Sequence, residues 1–126
     1  MPTDLIPFPP KMRPKDHSLA FNKHGFDFLL AAIEAETGIT REAIRGRGRK
    51  EPIAHARQLF FFMVRHHLTD DEGRAPSYTA IGQAFRRDHC TIIHAAQVTR
   101  DRIRLWPRYS QTYRAICLKL TLTPAV

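Results

Sequence analysis

Two short amphipathic segments, joined by only three residues, constrain this chain more than any other feature. In the first, Tyr78-Thr79-Ala80-Ile81-Gly82-Gln83-Ala84-Phe85, Ile81 and Phe85 lie one helical turn apart. Ser77 stands before it as an N-cap, and Gly82 leaves room for a neighbouring helix. Arg86-Arg87-Asp88 then lead to a second helical pattern with Ile92, Ala96 and Ile103 on one stripe and Thr99 beside them. Asp88 is placed to cap this second helix, because its carboxylate accepts from an orphan backbone N–H and sits at the positive end of the dipole. Two helices meeting at so tight a turn form a helix-turn-helix. Such a unit meets base edges with the first turn of its second helix. Here that turn carries His89, Cys90 and Thr91.

The remaining pattern is also helical. Phe26, Leu29, Leu30 and Ile33 follow i, i+3, i+4, i+7 spacing, which predicts a helix from about Asn22 to Glu36 that stops at Gly38. A short helix capped by Thr40 turns Ala43 and Ile44 inward and breaks at Gly46 and Gly48. Pro52 suits the first turn of the next helix, where its missing N–H costs nothing. Ile53, Ala56, Leu59, Phe60, Met63 and Val64 then give a wide apolar stripe to about Leu68. Phe61 and Phe62 make that helix apolar nearly all round, so it is expected at the centre of the core. Residues 70–76 are a loop by composition. Trp106-Pro107 ends the recognition helix at about Leu105, and a last helix from about Ser110 to Leu120 shows Tyr113, Ile116, Cys117 and Leu120 on one face. No period-2 alternation of convincing length occurs, so the expected fold class is all-α.

Charge points to the partner. The net charge is +8 and the isoelectric point near 10.2, which favours a polyanion. Arg45-Gly46-Arg47-Gly48-Arg49-Lys50 concentrates cations just before the central helix. The two cysteines make no disulfide framework, and no apolar run approaches the roughly 20 residues that cross a bilayer. Pro7, Pro9 and Pro10 break up any signal-peptide core. A cytoplasmic, nucleoid-associated protein without membrane contact is expected. Residues 1–20 read as a flexible basic Pro-rich arm that either lies along DNA or stays in solvent or packs Phe8 on the domain, 21–122 as the DNA-binding domain, and 123–126 as a tail.

Other chemistries are disfavoured. Seven histidines invite a metal site, but His89 and His94 are five apart, His66 and His67 are adjacent, and no His-Glu-x-x-His occurs. Gly46-Arg47-Gly48-Arg49-Lys50 lacks the spacing and the Ser/Thr of a phosphate-binding loop. No metal, cofactor, nucleotide or catalytic residue is expected, and the chain is not read as an enzyme. A protein-interaction module of the same fold, without DNA binding, is the alternative.

The run RDHCTIIHA, with Ala56-Arg57-Gln58 and the preceding basic stretch, resembles the C-terminal DNA-binding domain (domain IV) of the bacterial replication initiator DnaA. The resemblance spans roughly residues 25–120. It implies an all-α helical bundle containing a helix-turn-helix, TrpR-like as in DnaA domain IV. It also implies sequence-specific binding to double-stranded DNA at a DnaA-box-like site, as a monomer, in replication-origin binding or transcription regulation. With no ATPase sequence, the chain is read as a stand-alone domain. The family's basic loop places an arginine in the minor groove, and counting back from Ala56-Arg57-Gln58 puts that role on Arg49. Base contact is expected from Arg49, His89, Cys90, Thr91 and Ala95. Thr91, Ala95, Val98 and Arg102 share a slim stripe suited to close approach. Phosphate contact is expected from Arg47, Lys50, Arg57, Gln58, Ser77, Arg86, Arg87, His94 and Arg102, with Arg87 also pairing a carboxylate such as Asp88. The chain departs from the family in three places. The turn before Arg87 is one residue short of the usual Phe-Gly-Gly, Cys90 replaces a Thr, and Val98 replaces a basic residue. The 69–76 loop is also longer.

Overall fold

A computed structural model describes residues 19–126, and the architecture follows from how its helices begin. Among the described residues, four of the six helices start at a side-chain cap. Asn22 receives the Gly25 N–H before α1 (Lys23–Thr37), and Thr40 receives that of Ala43 before α2 (Arg41–Arg45). Ser77 receives the Ala80 N–H before α4 (Tyr78–Phe85), and Asp88 that of Cys90 before α5 (His89–Leu105). The other two, α3 (Glu51–His67) and α6 (Pro107–Lys119), carry proline in the first turn, where no N–H is needed. The last helix therefore opens three residues before the expected Ser110, because Pro107 starts a helix as readily as it ends one. Gly38 closes α1 in the left-handed conformation that glycine adopts freely, with its N–H bonded to the Glu34 carbonyl.

Among the described residues the fold is all-α apart from one pairing. Leu19–Ala20 (β1) and Leu68–Thr69 (β2) form a two-residue parallel ladder. The reading of 1–20 as a flexible arm is corrected at its last two residues, which are buried in this ladder; the rest of the arm lies outside the described residues. The expected tail, 123–126, also folds back. The Ala125 N–H donates to the Tyr113 hydroxyl at 2.8 Å, and Arg114 donates to the Val126 carbonyl. The buried Tyr113 hydroxyl meets His67 Nε2 at 2.7 Å from its other side.

The central helix is α3, covered on all sides as its apolar circumference requires. Phe60, Phe61, Phe62, Met63 and Val64 are all buried. Its aromatic side decides where the turn sits. Phe85, the last residue of α4, packs its ring 4.8 Å from Phe26, 5.2 Å from Phe60 and 5.6 Å from Phe61. Gly82 brings the next segment close. A Cβ there would stand 2.5 Å from the Arg87 carbonyl oxygen, while the Gly82 carbonyl accepts the Arg87 N–H at 2.8 Å. An aromatic anchor and a residue without a side chain thus fix the angle at which α5 leaves the turn.

Candidate nucleic-acid interface

The cationic loop 46–50 has little secondary structure of its own, so side chains from elsewhere must satisfy its carbonyls. Arg57, on α3, ties this loop to the end of α2. Its guanidinium donates to the carbonyls of Ala43, Ile44 and Gly48, each at 2.8 Å. Arg57 is only 9% exposed, and the expectation that it binds phosphate is corrected: all three of its nitrogens are engaged by main-chain oxygens of α2 and the loop. Burial first, then the charge of Arg47, lowers its pKa, though a guanidinium stays charged even so.

Arg87 fastens the same loop from the turn. Its Nη2 donates to the carbonyls of Arg45 and Gly46 at 3.0 and 2.8 Å, and its guanidinium lies 5.5 Å from the Phe61 ring centre. Its expected carboxylate partner is replaced by these main-chain oxygens. Arg47 Nη2 in turn donates to the Arg86 carbonyl at 2.9 Å, although its side chain remains exposed. The basic loop and the helix-turn-helix therefore share one surface. Arg45, Arg49, Lys50 and Arg86 are exposed there with no acidic partner among the salt bridges of the described residues.

At the tip of α5, Asp88 Oδ1 accepts the Cys90 N–H at 2.8 Å. That bond holds the Asp88 carboxyl below its ordinary pKa, and the carboxylate's charge pushes the Cys90 thiol up. A neutral Cys90 thiol does not repel a phosphate and offers only weak hydrogen bonding. His89, Cys90, Thr91 and His94 are all exposed. Asp88, His89 and Cys90 bring metal-ligand-type atoms within 4.8 Å of one another. Three consecutive residues on a cap produce that spacing unaided, and the positive helix end beside Arg86 and Arg87 opposes a cation.

Beyond Thr91 the slim stripe does not face outward. Ala95 is 1% exposed and belongs to the core, so its expected base contact is corrected. Val98 is half-buried, and Arg102 is turned toward α3, where it donates to the Gln58 side chain. That bond uses one Arg102 N–H and the Gln58 amide oxygen, and both side chains carry further donors. The exposed stripe is Cys90, His94, Gln97, Asp101 and Arg104. Gln97 was missed, although its place three residues after His94 gave the signal. Asp101 limits this face, since its carboxylate repels phosphate roughly 20 Å along the helix from the cap. Ser77 keeps its hydroxyl hydrogen free for donation, because its oxygen acts as the cap acceptor. Among the described residues, no helix is long and apolar enough to cross a membrane.

Comparison with known proteins agrees with this geometry. A family model described as the bacterial DnaA protein helix-turn-helix matches residues 26–98. The chromosomal replication initiator protein DnaA of Deinococcus radiodurans is 33% identical over 88 residues, covering 70% of this chain and 18% of that protein. DnaA of Desulfatibacillum aliphaticivorans is 39% identical over 66 residues, covering 52% of this chain and 13% of its own length. The chain thus spans less than a fifth of either relative. The match takes in the cationic loop, the turn and the first half of α5, and by it this chain belongs to the family of bacterial DnaA helix-turn-helix domains.

Proposed function

We propose that this domain binds double-stranded DNA with sequence preference at a DnaA-box-like site, as a monomer, in origin binding or transcriptional control. The observation that carries this reading is the side-by-side exposure of the Arg49–Lys50 loop and the α5 tip on one acid-poor surface. The first turn of α5 enters the major groove. Thr91 offers a methyl group and a hydroxyl to base edges, with His89 and Cys90 beside it. Arg49 enters the adjacent minor groove, where narrow A·T-rich tracts concentrate negative potential. Lys50, Arg86, His94 and Ser77 hold the flanking phosphates and set register.

Fluorescence anisotropy with a box duplex and a scrambled duplex tests this. Specific binding should exceed non-specific by about a thousandfold or more. Thr91→Ala should cost roughly 1–3 kcal/mol of discrimination with an unchanged salt slope. Arg49→Ala should remove the preference for A·T-rich flanks. Equal affinity for the two duplexes refutes the proposal.

A further inference from the structure

The geometry points to Arg47 and Arg87 as positioning residues: a crossed pair that fixes the distance between the minor-groove loop and the recognition helix. This rests on the two-groove reading above. Arg87 reaches from the turn to the loop, gripping the carbonyls of Arg45 and Gly46. Arg47 reaches from the loop to the turn, gripping the carbonyl of Arg86. Each arginine holds main-chain oxygen on the other's segment, so neither segment shifts alone.

The turn needs this grip. Arg86 adopts φ 56, ψ 49, the left-handed region that residues with a Cβ enter unfavourably. The shortened connection places a residue with a side chain where glycine would be at ease. The Arg86 N–H still closes α4 onto the Gln83 and Gly82 carbonyls, and its own carbonyl is what Arg47 binds. Arg87 directly precedes Asp88, the cap of α5. Restraint of this turn is therefore restraint of the recognition helix.

The consequence is a ruler. Moving an A·T-rich element by one base pair displaces it by about 3.4 Å, and a loop bonded to the turn cannot follow. The wild-type protein should lose about tenfold in affinity when one base pair is inserted between the minor-groove and major-groove elements. In Arg47→Gln and Arg87→Gln that ratio should fall to about twofold or less, with the in-register affinity itself only modestly reduced.

Two controls separate this from other roles. Arg47 is exposed, so Arg47→Gln should keep the wild-type circular dichroism even where Arg87→Gln does not fold. In the free protein, amide exchange at Gly46 and Arg87 should speed up about tenfold in Arg47→Gln and stay unchanged in Arg49→Gln. Unchanged exchange at both amides overturns the crossed pair whether or not DNA is bound. A wild-type spacing ratio in Arg47→Gln, with a salt slope lowered by about 0.9, makes Arg47 a phosphate ligand and also overturns it. A protein that distinguishes no duplex from any other sinks the two-groove reading and the ruler with it. The exchange data then still decide whether the grip exists.

Discussion

Replacing Arg57 by methionine separates two incompatible roles for that side chain. The aliphatic stem and approximate volume are kept while the three bonds to main-chain oxygen are removed. The bond to the Ile44 carbonyl is buried, and losing it leaves an acceptor without water, at about 1–3 kcal/mol. The Ala43 and Gly48 carbonyls are partly buried and partly rehydrate on relaxation, at about 1 kcal/mol each. Apolar burial of the methionine returns about 1 kcal/mol, so the net loss is about 2–4 kcal/mol. Urea unfolding followed by circular dichroism should show the midpoint falling by about 1–2 M at a typical slope for a domain of this size. A DNA titration of the folded variant should keep its salt slope, because no phosphate ligand has been lost. The reasoning is refuted if the midpoint hardly moves while the slope drops by about 0.9, the signature of one lost phosphate contact.

Three further outcomes are expected. Gly82→Ala drives a methyl group into the Arg87 carbonyl and should cost about 2–3 kcal/mol in urea unfolding, with recognition weakened because α5 must shift. Arg86→Gly relieves the left-handed strain and should raise stability by about 1 kcal/mol, read as a higher thermal midpoint. His66 is held to a pKa of about 4, by burial first and by the charges of Arg100 and Arg65 next. Between that value and the unfolded 6.5 the unfolded chain binds more protons, so stability is lost as pH falls through this window. His66→Gln should flatten the pH dependence of the denaturation midpoint there, and an unchanged slope would contradict the assignment.

Much of this fold was written in local chemistry. Thr40, Ser77 and Asp88 each precede a helix as a short polar acceptor, and each caps it. What the pattern did not resolve was direction. Ala95 and Val98 are small or aliphatic and uncharged, which suits a helix against base edges and a helix against other helices equally well. Periodicity assigns residues to a stripe but does not say what the stripe faces. Arg57 was misread for a related reason. Its partners are peptide oxygens at the end of α2 and in the loop after it, and no side chain in the sequence marks them. The ladder of Leu19–Ala20 with Leu68–Thr69 is too short for any alternation to show. Arg49, Lys50, Cys90 and Thr91 are found exposed as expected, because charge clustering and a helix cap are themselves surface signals.

The fastening of the cationic loop to peptide oxygens has an evolutionary corollary. Arg57 and Arg87 grip atoms that every amino acid possesses, so the mounting is blind to the side chains displayed upon it. Positions 45, 49 and 50 can drift, or be randomised in a library, without loosening their support. New groove preferences are then open to the domain as a cassette exchange on an unaltered chassis.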